Sequence, residues 1–101
     1  MFDKAKQLYQ LQKKAKQVQK ELKNTEVEAK STDQLVTVIL TADQKIKSIE
    51  IDESLLSAEK KREVQDKIVR VCTEGLSRAQ AVAAEKTKGL MGEMGLNIPG
   101  M

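Results

Sequence analysis

A chain of 101 residues has room for one domain, since a second core would need roughly another 100 residues; with hydrophobic residues at 40% but aromatics at only 2%, its core must be built from Leu, Ile, Val, Met and Ala. The net charge of +3 and the pI near 9.0 are basic, but too mildly to establish a polyanionic partner on their own. Histidine is absent, which removes the commonest general base and metal ligand, lone Cys72 excludes an internal disulfide, and neither a run of about 18 apolar residues nor an apolar leader is present, so a soluble cytoplasmic protein with no cofactor is expected.

Residues 3–23 are rich in Lys, Gln, Leu and Ala, contain no Gly or Pro, and predict a helix. Leu8, Leu11, Ala15, Val18 and Leu22 follow one another at steps of three and four, the spacing of a coiled-coil seam. Lys4 interrupts that spacing, so the seam covers barely two heptads, too few to stand as a coiled coil by itself. The helix must therefore pack on another part of the chain or on a partner.

With Leu8 at heptad position a, Lys6, Lys13 and Lys20 all fall at f, with Lys16 and Lys23 beside them at b; Lys4 and Lys14 complete the set. Seven lysines against Asp3 and Glu21 give this segment +5 and leave −2 for the rest of the chain. Neither acid stands four residues before a lysine, so the row lacks the mixed signs of an ordinary solubility face. A heptad of helix advances about 10.5 Å, and the f lysines form repeated cationic points able to follow a phosphate backbone.

Flexible ammonium groups suit contacts that ignore base sequence. Base readout would call for Arg or Asn, and neither occurs before Asn24. Single-strand binding would call for aromatic platforms, and Tyr9 is nearly alone, so duplex DNA is the polyanion expected.

From residue 24 to 52 the period falls to two and β-branched residues take over, predicting strands around Val27 and Ala29, around Val36, Val38 and Leu40, and around Ile46, Ile49 and Ile51. Ser31-Thr32-Asp33 and Ala42-Asp43-Gln44 have hairpin length, which predicts an antiparallel meander. The second strand, apolar on both faces through Leu35 and Ile39, takes the centre. The step from Ile46 to Ile49 breaks the alternation and predicts a bulge near Lys47-Ser48.

A turn-like stretch at 53–57 leads to a second long helix over about 58–88, with Val64, Ile68, Val71, Cys72, Leu76, Ala79, Val82 and Ala83 along one face. Gly75 lies inside that stripe, which points to close backbone packing. Arg78, Lys86 and Lys88 are candidate DNA contacts, although cations near a helix C-terminus also complement its dipole. Cys72, on the apolar stripe with no imidazole to activate it, reads as an inert thiol. Asp43, Asp52 and Glu53 match no metal-loop spacing and read as turn formers. Residues 1–88 make the expected domain, and 89–101, with four of the five glycines and the only proline, an irregular tail.

The chain resembles the YbaB/EbfC family over essentially its whole length. The resemblance rests on Leu-Lys-Asn-Thr-Glu-Val-Glu-Ala at 22–29, Ile-Lys-Ser-Ile-Glu-Ile-Asp at 46–52, Ser54-Leu55-Leu56, and the ending Gly-Leu-Asn-Ile-Pro-Gly-Met at 95–101. It departs from the family pattern in both hairpins, with Ser31-Thr32-Asp33-Gln34 in place of a glycine-rich turn and Ala42-Asp43-Gln44 in place of an Asn-Gly-like one. The resemblance implies an α+β fold of order α-β-β-β-α, a tweezers-shaped homodimer, and binding of double-stranded DNA that helps to organise the bacterial nucleoid. Two other readings stay open. The seam of Leu8, Leu11, Val18 and Leu22 suits an adaptor that grips a foreign helix, and a basic amphipathic helix also suits an anionic membrane surface. An enzyme is the least expected class, for want of a convergent acid, base or nucleophile.

Overall fold

A computed structural model of the chain describes residues 2–93. Helix α1 (Phe2–Lys23) is followed by strands β1 (Glu26–Lys30), β2 (Val36–Thr41) and β3 (Ile46–Ile51), two 3₁₀ turns (Glu53–Leu55 and Ala58–Lys60), and helix α2 (Lys61–Glu93). This is the expected α-β-β-β-α order. The strands pair antiparallel in the order β1-β2-β3, with β2 central. Ile39 pairs with Ser48 and Leu40 with Ile46, so Lys47 is the extra residue of a bulge where the alternation of isoleucines breaks.

The register decides which side chains meet. Val27 pairs with Leu40 and Ala29 with Val38, while Val36, Val38 and Leu40 pair with Ile51, Ile49 and Ile46, so all of these share one face of the sheet. α2 lies across that face over β1 and β2, and Val36, Val38 and Leu40 are buried completely beneath it with Val71 and Ala79. Gly75 is where the helix comes closest: a Cβ there would stand 2.9 Å from Leu40 Cδ2 and 3.5 Å from the Ala29 Cβ. The glycine inside the stripe thus lets α2 settle onto β1 and β2, at a helix-propensity cost of about 1 kcal/mol.

Both hairpins close without the glycines of the family pattern. In the first, the Val36 N–H donates to Ser31 Oγ at 3.0 Å and the Leu35 N–H to Asp33 Oδ1 at 3.1 Å, side-chain bonds that take over the work of a tight glycine turn. In the second, the Gln44 N–H donates to the Thr41 carbonyl and the Thr41 N–H to the Lys45 carbonyl, each at 2.8 Å. Gln34 (φ 64°) and Gln44 (φ 68°) occupy the left-handed positions, a conformation that glycine would adopt without steric cost.

Asp33 also reaches α2, where Lys67 Nζ donates to its other carboxylate oxygen. Hydrogen bonds from Lys67, Ser31 and the Leu35 N–H hold the Asp33 carboxyl well below its ordinary range. Asp52, also held low, caps the first 3₁₀ turn by accepting from the Ser54 N–H at 3.0 Å, and Leu55 closes the end of the core.

α2 begins and ends later than its composition suggests. Residues 58–60 form a 3₁₀ turn ahead of it, and at the other end Gly89 and Gly92 are helical, five residues past the expected end at Lys88. Leu90 supplies the reason. It is buried against α1, and burying a leucine gains about 1.5–3 kcal/mol, enough to offset a glycine in the same turn. The remainder of the expected tail, from residue 94, lies outside the described residues.

Candidate nucleic-acid interface

α1 is anchored at its C-terminal end. The Ala42 N–H, in the second hairpin, donates to the carbonyls of Leu22 (3.1 Å) and Thr25 (2.9 Å), Thr25 Oγ1 donates to the Glu21 carbonyl at 2.6 Å, and the Leu22 side chain packs against the core. From that anchor α1 runs beside the C-terminal half of α2. Glu21 pairs with Lys86 at 3.8 Å, and Lys14, Gln17 and Val18 face Gly89 and Leu90 across a narrow cleft. The two helices are thus antiparallel, and together they extend from the sheet as an arm of a molecule 68 Å long and only 16 Å deep.

The seam is divided along this arm. Leu22 joins the core, Val18 is half-buried against α2, Leu11 is half-buried, and Leu8 is 62% exposed. Residues 4–10 are exposed throughout.

On the opposite side of α1, Lys6, Lys13 and Lys20 stand in solvent in one row, with Lys16 and Lys23 alongside; Lys4, also exposed, holds the seam position one turn before Leu8. Among the described residues none of these six takes part in an ion pair. Lys14 differs, being half-buried and turned into the cleft towards α2. The cations of α2 are less available than their positions in the sequence suggest. Arg78 donates from Nη1 to the Glu28 carbonyl at 3.0 Å and from Nη2 to Glu74 Oε1 at 2.7 Å, stapling α2 to β1. Lys86 is held by Glu21, whereas Lys88 is exposed. The structure therefore gathers five lysines of α1, Lys6, Lys13, Lys16, Lys20 and Lys23, into one open cationic face, with Lys4 exposed at the start of the seam, and leaves Arg78 and Lys86 with intramolecular partners.

A second surface has no clear signal in the sequence. α2 covers β1 and β2 but leaves β3 uncovered, so Ile46 (44% exposed) and Ile49 (41%) carry the core face of the sheet out into solvent. Lys67 and Arg78 mark the flank of α2 turned towards β1; by helical spacing Val69, Cys72 and Leu76 lie on the other flank, beside β3. Val69 is 65% exposed, and Cys72 and Leu76 are half-buried. The alternation in strand three announced an apolar face, but only the placement of α2 shows that this face has no cover.

Among the described residues no group of His, Cys, Asp and Glu is arranged to hold a metal, and no helix is long and apolar enough to cross a membrane.

Residues 1–94 match the model of the YbaB/EbfC DNA-binding family. The chain is 36% identical to a nucleoid-associated protein of Afipia carboxidovorans, over 95% of this chain and 90% of that protein. It is 41% identical to one of a Bradyrhizobium species, over 90% of this chain and 86% of the relative. Its fold matches the crystal structure of an uncharacterized protein of Helicobacter pylori with a TM-score of 0.68 and 25% identity, covering 86% of this chain and 87% of that one.

Proposed function

Since the chain belongs to the YbaB/EbfC DNA-binding family, as a nucleoid-associated DNA-binding protein, we propose that it grips double-stranded DNA through the outward lysine row of α1. The observation that carries this reading is the open row itself: Lys6, Lys13, Lys16, Lys20 and Lys23, exposed and, like Lys4 at the start of the helix, free of ion pairs among the described residues. Unpaired ammonium groups lose no internal partner on meeting phosphate, and each releases condensed counterions when it does. Lysine contacts of this kind position a helix on the duplex without reading bases, so little sequence preference is expected. Lys88 is exposed and open to a phosphate of its own, while Arg78 and Lys86 reach DNA only by giving up Glu28, Glu74 and Glu21. The place of action is then the nucleoid, in the cytoplasm, with no cofactor and no small-molecule substrate.

A salt series tests the reading. Between about 50 and 200 mM salt the logarithm of the affinity for duplex DNA is expected to fall linearly with the logarithm of salt, by about 0.9 for each phosphate neutralised. Absence of a gel shift at the low end would overturn it.

The working unit in this reading is a homodimer, with the surface of Ile46, Ile49, Val69, Cys72 and Leu76 covered by its counterpart on a second copy. The support is chemical. The patch continues the apolar face of the sheet and carries no charge among these side chains, and an apolar patch of this kind can pair with its own copy about a two-fold axis, the commonest closed symmetry. Such a dimer holds two arms in fixed relation and doubles the cationic surface offered to one duplex. Ile49→Lys is expected to yield a folded monomer in sedimentation velocity; an unchanged dimer would place the interface elsewhere.

A further inference from the structure

We infer that Tyr9 contacts the DNA bases directly, as the one aromatic side chain set in the cationic row of α1; the inference rests on the DNA-binding reading of that row. Tyr9 holds the same heptad position as Lys16 and Lys23, and on the helix surface its neighbours three and four residues away include Lys6 and Lys13. It is 67% exposed, the most exposed of the large hydrophobic side chains in the described structure.

A packing role does not account for it. Among the described residues the cleft between α1 and α2 runs from Glu21 to Lys14, and Tyr9 lies beyond it and off the seam, which at this level is carried by Leu8 and Leu11. Nor does solubility. The other outward positions of the helix are filled by Lys and Gln, among them Gln10 and Gln12, and a ring at such a position gains nothing in water.

Against a duplex the same placement becomes useful. Lys6, Lys13 and Lys16 surround the ring on both sides along the helix axis, so their contacts with phosphates bring the ring towards the groove between them. A tyrosine then offers a flat apolar face to base edges and sugars and a hydroxyl able to donate or accept a hydrogen bond. Every sequence presents sugars and base edges along its grooves, so this contact adds affinity without demanding a sequence.

The composition of the chain supplies the test. There is one tyrosine and no tryptophan, so tyrosine emission from the unaltered full-length protein reports on Tyr9 alone. Titration with a labelled 30-base-pair duplex at low salt should quench that emission in step with binding seen by anisotropy of the label. Inorganic polyphosphate, which carries the charge but no bases, should displace the labelled duplex and leave the emission unquenched. Y9A should weaken duplex binding by about five- to tenfold with an unchanged salt slope, and Y9F should retain most of the affinity. Binding of duplex with constant tyrosine emission, or equal quenching by polyphosphate, would overturn the assignment while leaving the lysine row in place. Failure of the wild-type protein to bind the duplex would remove the DNA reading itself, and this inference with it.

Discussion

The body of the molecule and its arm are built on opposite terms. In the body, α2 buries Val36, Val38 and Leu40 completely and is stapled to the sheet by Lys67 to Asp33 and Arg78 to the Glu28 carbonyl. In the arm, residues 4–10 of α1 are exposed at every position, and the open lysines have no acidic partner among the described residues. Lys67 and Arg78 of the body are matched within the chain, whereas the outward lysines of the arm are not matched among the described residues. With DNA as the partner proposed for that surface, stability and binding should respond to different substitutions.

The largest effect is expected from the body. Leu40→Ala removes a fully buried side chain that touches α2 at Gly75, and should lower stability by about 2–5 kcal/mol in urea unfolding. If DNA affinity fell equally under conditions where this variant remains folded, the division between body and arm would be wrong. The converse experiment replaces Lys6, Lys13 and Lys20 together by Gln. Stability should stay within about 0.5 kcal/mol of the parent, while binding weakens uniformly across sequences and the salt slope shrinks by about 0.9 for each phosphate that is no longer neutralised. An unchanged slope would move the site off this row.

The smallest effect sharpens the comparison through pH. The folded-state pKa of Asp33 is depressed by its hydrogen bonds from Lys67, Ser31 and the Leu35 N–H. Its contribution to stability is therefore present above the unfolded carboxylate value of about 3.9, and is lost as pH falls below that value towards the folded one. The difference in thermal midpoint between the wild-type protein and Asp33→Asn should be constant from pH 7 to 5 and shrink below pH 4. A difference that disappears already near pH 6 would show that the staple contributes differently from this account.

Much of the molecule is legible in the chain itself. The seam spacing, the lysine row, the three strands with the second at the centre, and the bulge beside Lys47 all follow from short-range periodicity, because a period of two or 3.6 fixes which residues share a face. The resemblance at 22–29 and 46–56 points to the same family whose model matches residues 1–94.

Other features depend on residues far apart in sequence that meet in the fold. Gly75 signalled close packing, but only the sheet shows that Leu40 and Ala29 are what it meets. The glycines at 89 and 92 suggested a helix end, and the burial of Leu90 against α1 carried the helix past them. Arg78 and Lys86 looked equivalent to the lysines of α1 as charges in a sequence. Residues brought in from β1 and from α1 itself give them partners at home.

The sequence by itself determined the elements, their faces and the sign of the charge on α1, since each is set by neighbours within a turn or two. The tertiary structure decided which charges stay free and which apolar row stays uncovered. Both are settled by where α2 lies across the sheet, and that depends on side chains meeting across the fold.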